Sequence, residues 1–479
     1  MSFRKASISA FFWSSGQQIS VLLVNLVVSI WLSRLLDPVE FGLIGMLSIF
    51  IAVGSVLMNG GMASSIIRTQ EINSKALSTV FFANVAFSVL IYLIFYISAP
   101  WIASFYNRPI LTDLLRVYSL VILIAAFSTV QFAKLTKELR FKRSMAVRFP
   151  AVILSAFVGL WMAYSGYKVW SLVGMYLTQA IFNSMLVWFY SGWKPKLEFS
   201  RLEFKRHFSF GAKISFSGLL DAVYTNSYNL VIGKVFNAHI LGYYTRSFSL
   251  MKIPVFNIQE VFDRVTFPLL STIQNDTTKL RNTYRRIFQS ILLIILPILS
   301  ISIVIAEPLF RYFLTEKWLP AVPYFQLLCV AGMFIPTSKN NLNILKVRGQ
   351  GGTYLKLGMI EKAFMTLGLF LVLPFGVMAL LYFQVGAALF SFAINGWFSG
   401  KQIHYTLVQQ LRDFLKIFLL AATPGLVIWL FLNNSNYLQS DFLIILFATI
   451  FYVLSYGILL LLFEKSILRF MKDTLKPNR

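Results

Sequence analysis

The chain has 479 residues, 57% of them hydrophobic and 13% charged, with a mean hydropathy of +0.71 and a net charge of +25. Soluble domains run nearer half apolar and a quarter charged, so a water-soluble enzyme of this length is excluded. In a soluble protein such a positive charge would suggest nucleic acid; in a chain this apolar it is expected to be a loop bias, with no nucleic-acid role.

A single cysteine, Cys329, leaves no internal disulfide and no cysteine cluster for a metal, and the three histidines (His207, His239 and His404) are far apart in sequence. Phe occurs 47 times and Trp and Tyr together 31 times, which suits lipid-facing helices with aromatic belts. The first apolar run, 10–36, is too long for a cleavable signal peptide and lacks a cleavage site.

Apolar runs of about 20 residues, the length that crosses the hydrocarbon core, recur along the chain. They predict fourteen helices at 10–33, 41–63, 79–102, 114–133, 149–168, 171–191, 211–234, 240–262, 287–310, 322–345, 355–374, 376–398, 414–433 and 442–463. On the first, Ser14, Gln18, Asn25 and Ser29 share a face at helical spacing; on the second, Ser48, Ser55 and Asn59 do, and Gly60-Gly61 follows. These stripes fit either a polar cavity that meets sugar hydroxyls or ordinary interhelical hydrogen bonding. Arg34, Asp37 and Glu40 lie at the turn between these helices and read as a local capping cluster.

The seventh run holds Asp221, with Thr225 and Tyr228 at helical spacing from it. The eighth holds Arg246, Lys252 and Glu260, with Asp263 and Arg264 near its end. Ionisable groups inside spans are costly and point to function. Segment 276–288, with four basic residues, is expected to be an interfacial amphipathic helix. Gly349-Gln-Gly-Gly352 lacks the lysine of a phosphate-binding loop and reads as a turn, so the chain is not expected to hydrolyse nucleotide.

Lys and Arg then orient the spans. With charges toward a span end counted in the adjoining connection, the N-terminus, the connections after even-numbered spans and the C-terminal tail carry 33, the other connections 7, and three (Arg246, Lys252, Lys362) remain within spans. Under the positive-inside rule both termini are cytoplasmic.

A repeat 200 residues apart organises these helices. Leu32-Ser-Arg-Leu-Leu-Asp-Pro-Val-Glu-Phe-Gly42 is echoed by Ile232-Gly-Lys-Val-Phe-Asn-Ala-His-Ile-Leu-Gly242, pairing Arg34 with Lys234, Asp37 with Asn237 and Gly42 with Gly242. Six spans separate the copies, so they share one orientation, as in transporters built from parallel repeats. The expected organisation is an N-lobe at 1–191 (spans 1–6), a cytoplasmic linker at 192–213, a C-lobe at 214–398 (spans 7–12) and two further spans with a basic tail at 399–479. The fold class is an all-α membrane protein of two six-helix lobes plus two C-terminal helices.

The stretch Leu32–Gly42, with Leu139-Arg-Phe-Lys142, Gly166-Tyr-Lys-Val-Trp-Ser-Leu-Val173, Val231-Ile-Gly-Lys-Val235, Gly242-Tyr-Tyr, Phe267-Pro268 and Lys317-Trp318, resembles the Wzx-type polysaccharide flippases of the multidrug/oligosaccharidyl-lipid/polysaccharide flippase superfamily. The resemblance implies a multi-pass protein of the bacterial inner membrane, and two lobes around a central cavity. It also implies an undecaprenyl-diphosphate-linked oligosaccharide as cargo, for lipopolysaccharide, capsule or exopolysaccharide synthesis, and a polysaccharide polymerase and chain-length regulator as partners beside membrane lipids.

An anionic headgroup needs fixed cations in a wet cavity. Arg246 and Lys252 are the candidates for its diphosphate, Arg by bidentate contact and Lys as a point charge. The other reading is that Asp221, Glu260 or Asp263 neutralises them within the bundle. Asp221, Glu260, Asp263, Arg264, Gln18, Asn25 and Asn59 are candidate cavity or coupling residues. No cofactor or metal is expected, and H+ or Na+ is the candidate coupling ion.

Three rivals remain. A multidrug cation antiporter of the superfamily would need membrane-embedded acids, yet the Asp and Glu residues of the first six spans all fall in loops. A polymerase or ligase would need a large external catalytic loop. A peptidoglycan-precursor (lipid II) flippase shares the fourteen-helix plan.

Overall fold

The computed structural model describes residues 3–434 and 440–464, with side chains from residue 16 onward. The five basic residues assigned to the C-terminal tail, which begins at Lys465, and the side chain of Ser14 lie outside the described residues.

Every regular element among the described residues is helical. The α-helices are α1 (Phe3–Leu35), α2 (Pro38–Asn59), α3 (Met62–Arg68), α4 (Ser74–Phe105), α5 (Leu111–Tyr118), α6 (Leu120–Lys137), α7 (Phe141–Tyr164), α8 (Val169–Tyr190), α9 (Arg201–Val235), α10 (Ala238–Thr272), α11 (Thr277–Val304), α12 (Ala306–Leu314), α13 (Val322–Gly332), α14 (Ile335–Val347), α15 (Gly351–Val372), α16 (Val377–Ile403), α17 (Leu407–Asn434) and α18 (Asp441–Phe463). Helices satisfy their own backbone groups, which lipid cannot do for them.

Twelve stretches among the described residues are long and apolar enough to cross a membrane. The helices α9 and α10 have 35 residues each but are more polar and are not among those twelve. Large apolar side chains stand on the surface, Trp101, Phe157 and Leu371 among them, as lipid contact requires and water forbids.

Several expected spans are interrupted, each for a local reason. The second stops at Asn59 because Gly60 and Gly61 take φ of 53° and 65°, a left-handed conformation that glycine adopts without strain. The tenth splits into α13 and α14 just ahead of Pro336, whose ring removes a helical donor. Pro374 lies in a 3-10 turn between α15 and α16, and Gly376 follows at φ 92°. Segment 276–288 is not a separate interfacial helix. It forms the first turns of α11, because Asp276 caps it through Lys279 N at 2.9 Å and its apolar residues Leu280, Tyr284, Ile287 and Phe288 are buried.

The chain divides into two compact units, 1–242 and 243–479. In the first, α7 packs on α8 and α1, and α2 runs along α9. Its core includes Met62, Ile66, Val80, Phe81 and Val130, with Phe127, Trp188 and Trp193 edge-on to Phe81.

The sequence repeat has a physical counterpart inside this unit. A Cβ on Gly42 would lie 1.7 Å from the Ala238 carbonyl oxygen, and one on Gly242 would lie 1.9 Å from that of Pro38. The first turns of α2 and α10 therefore touch backbone to backbone, and each glycine serves the other's helix start. Asn237 caps α10 by accepting from Ile240 N at 2.8 Å. Asp37 holds the matching N-cap position of α2 without a side-chain cap bond.

In the second unit α14 and α13 pack on α16, and α11 packs on α17. Rings of Phe288, Phe334, Phe392 and Phe414 contact one another through its centre. A polar group ties α17 to α11: Arg285 donates to both oxygens of Asp413 at 2.6 and 2.8 Å, and Tyr405 Oη donates to Asp413 Oδ2 at 2.6 Å.

Candidate functional site

In the second unit, Lys252, Phe256, Gln259 and Asp263 recur at three- and four-residue intervals and share one face of α10. On α14, Lys339, Asn343 and Lys346 do the same. The two stripes meet. Asn343 Nδ2 donates to Asp263 Oδ1 at 3.0 Å, and Gln259 Nε2 donates to Asp263 Oδ2 at 3.2 Å.

One turn along the stripe, the ammonium nitrogens of Lys252 and Lys339 stand 5.4 and 4.8 Å from the centre of the Phe256 ring. They are therefore no more than 10.2 Å apart. Both lysines are exposed, while Asn340, Asn341 and Asn343 behind them are buried. At 1.5 Å per residue, Lys252 lies about 21 Å along α10 from Ala238.

A carboxylate borders this stripe. Glu361 of α15 accepts from Asn395 Nδ2 of α16 at 2.6 Å, and the same nitrogen donates to Ser338 Oγ at 2.9 Å. Ser338 precedes Lys339, so α14, α15 and α16 meet at this point. The charges of Lys339 and Lys362 both act on Glu361.

The sequence-derived candidates are placed as follows. Arg246 is buried, 3% exposed. Six residues put it about 120° around α10 from exposed Lys252, so these two cations do not share a face. Glu260 and Arg264 pair with each other at 2.6 Å on the surface. Asp263 belongs to the α10–α14 seam.

In the first unit, Asp221 is exposed on α9 and lines a recess of about 460 Å³ with Lys213 and Ser217. Tyr228, expected on the same face, is buried. Gln18 and Asn25 are exposed along α1. Asn59 Oδ1 accepts from Ala63 N at 3.3 Å, bridging the Gly60-Gly61 break. Ser48 accepts from Asn229 Nδ2 of α9 at 3.0 Å.

Sequence reasoning passes over Lys339, Glu361, Asn395 and Ser338. Lys339 counts with the loop charges that follow α14, and Glu361 hides beside Lys362. The signals are the spacing of Lys339, Asn343 and Lys346, and a single acid in α15, whose other charges are Lys356 and Lys362.

His207 is also missed. It is fully buried on α9, with Nδ1 2.8 Å from Ser65 Oγ of α3 and Nε2 3.6 Å from Glu203 Oε2. Burial pushes its imidazole below the ordinary histidine range, helped by Arg206 and Lys137 and opposed by Glu203. Close by, a Cβ on Gly211 would lie 2.2 Å from the Gly60 carbonyl oxygen, so α9 and the α2–α3 break touch through backbone.

Chemically, the α10–α14 stripe offers two cations, an aromatic face and amide groups. That set suits an anion attached to polar, hydroxyl-bearing material.

Comparisons with known proteins agree with the fold. The chain is 26% identical over 335 residues to the lipopolysaccharide biosynthesis protein WzxC of Escherichia coli, covering 70% of this chain and 68% of that protein. It is 24% identical over 423 residues to the teichuronic acid biosynthesis protein TuaB of Bacillus subtilis, covering 87% and 86%. Its fold matches the lipid II flippase MurJ in an inward closed conformation with a TM-score of 0.76, at 14% identity, over 96% of this chain and 99% of that one. A family model described as polysaccharide biosynthesis protein matches residues 31–323. This multi-pass integral membrane protein therefore belongs to the polysaccharide biosynthesis protein family.

Proposed function

We propose that this chain is a flippase that moves undecaprenyl-diphosphate-linked oligosaccharide units across the bacterial inner membrane, by alternating access, for lipopolysaccharide, capsule or exopolysaccharide synthesis. The observation that carries the reading is the pair Lys252 and Lys339 around Phe256 in a member of this family. Two charge-assisted contacts of about 2.8 Å each fit an anion of diphosphate size between two nitrogens so spaced. The sugars would meet amides and hydroxyls, and the apolar tail would stay in lipid. Catalysis is not part of the reading; the chain carries and does not transform. A polymerase and a chain-length regulator are the partners that would receive the cargo.

The same proposal takes α9 and α10 as two further spans, for fourteen in total, and places both termini in the cytoplasm. Polarity is what a cavity-lining span requires, so their lower hydropathy supports this count. It keeps the lobes at 1–191 and 214–398, the linker at 192–213 and the appended spans at 399–479. Arg246 would support α10 from its buried side, while Asp221, Gln18 and Asn25 would present polar groups to solvent or cargo.

The test is complementation. The chain should restore surface polymer to a strain lacking its polysaccharide flippase, and Lys252→Ala should abolish display with normal membrane insertion. Normal display by the variant would remove the lysine pair from the mechanism. Rescue of a strain lacking its lipid II flippase, with no rescue of the polysaccharide strain, would assign the chain to that branch.

A further inference from the structure

Asn395 is 1% exposed, and its two polar atoms are treated unequally. Its Nδ2 donates both to Glu361 Oε1 and to Ser338 Oγ, whereas its Oδ1 meets no donor among the described residues. A buried acceptor left without a donor is costly, and here it belongs to the side chain that serves a carboxylate. An amide can meet either form of a carboxyl group: Nδ2 donates to the carboxylate, and after a half-turn Oδ1 accepts from the acid O–H. The site is thus built to satisfy Glu361 with and without a proton. A metal cation is disfavoured, since the charges facing Glu361 are Lys339 from α14 and Lys362 from α15, while α16 supplies the neutral amide.

Lys339 is the link outward. Its ammonium group stands over Phe256 beside Lys252, and its charge also acts on Glu361. An anion held by Lys252 and Lys339 would draw on the positive charge that Lys339 also directs at Glu361.

We propose that Glu361 is a proton-binding site linked to the cargo through Lys339. When an anion settles between Lys252 and Lys339, Glu361 takes a proton from solvent and Asn395 turns its oxygen to the new O–H. When the anion leaves, the proton leaves with it. Linkage is reciprocal, so a protonated Glu361 also strengthens anion binding. One proton then travels with each cargo and offsets one of its negative charges. This rests on the anion-carrier reading and adds the residue that couples it to pH.

The experiment titrates farnesyl diphosphate into the purified full chain in detergent by calorimetry, in buffers of different ionisation enthalpy and at several pH values. The wild type should take up more protons per anion than Glu361→Gln, with a difference approaching one. Its affinity should rise about tenfold as pH falls, within the usual range of coupling strengths, and Glu361→Gln should flatten that dependence while still binding. Lys339→Gln, at an exposed position, should bind several-fold more weakly and lose the extra proton. Equal proton uptake by wild type and Glu361→Gln would overturn the inference and leave the carrier reading standing. Binding that follows sodium concentration instead of pH would also overturn it. No binding by the wild type would overturn the carrier reading itself, and the inference with it.

Discussion

Helices approach one another in two different ways in the two units. In the first, contact is made by removing side chains: Gly42 meets the Ala238 carbonyl, Gly242 meets that of Pro38, and Gly61 and Gly211 meet backbone to backbone. In the second, α10, α14, α15 and α16 meet through amides and charges, with Asp263, Asn343, Ser338, Glu361 and Asn395 bonded across them. A backbone contact has one arrangement, and any added carbon forces it apart. A polar seam can exchange partners without changing shape, because each amide offers both a donor and an acceptor. The first kind of contact suits a fixed crossing, the second a place where occupants and protons change.

The largest effect should come from filling the glycine crossing. Gly42→Ala puts a carbon where the Ala238 oxygen already stands, so the two helix starts must separate. Overpacking of this kind is expected to cost about 3 kcal/mol, read as a fall in thermal stability by size-exclusion chromatography. Gly358→Ala on α15, where an added Cβ meets no neighbouring group of the described residues within 4 Å, should leave stability unchanged or slightly raised. Equal effects at the two positions would break the contrast between steric and polar contacts.

Next in size is the tie between α11 and α17. Asp413→Asn removes the charge that receives both Arg285 and Tyr405. Asp413 is buried but Arg285 is about half exposed, so the pair is partly screened and the loss should be about 1 to 2 kcal/mol. Unchanged stability would mean that the Phe334, Phe392 and Phe414 contacts hold α17 by themselves.

Much of this fold could be read in the chain beforehand, for identifiable reasons. Apolar runs report helices because lipid admits little else. The 200-residue echo reports the crossing, because no residue but glycine fits at 42 and 242. The interruptions were harder. Gly60-Gly61 and Pro336 are visible punctuation, but each sits inside a run whose hydropathy continues past it.

The site divides in the same way. Lys252 stands out because a charge deep in an apolar run is conspicuous. Lys339 does not, being near enough to a loop to count with it. Asn395 gives no signal at all, since an amide acquires its role from Glu361, 34 positions away. The His207 contact depends on Ser65, 142 positions away, and was equally hidden.

The smallest effect should be a pH dependence confined to that histidine. Its surroundings favour the neutral ring, so the folded protein binds fewer protons at His207 than the unfolded chain does. Stability from this group is therefore complete above the ordinary histidine range, near pH 6.5, and is lost as pH falls from there toward the lowered folded value. Thermal stability of the wild type should decline across that acidic window, by less than Asp413→Asn costs, and His207→Gln should flatten the decline. Gln cannot take up a proton, yet its amide can still meet Ser65, so the folded shape should persist. An unaltered pH profile in this variant would move the acid sensitivity elsewhere. The α3–α9 contact would then be purely steric, like the Gly60 and Gly211 approach beside it.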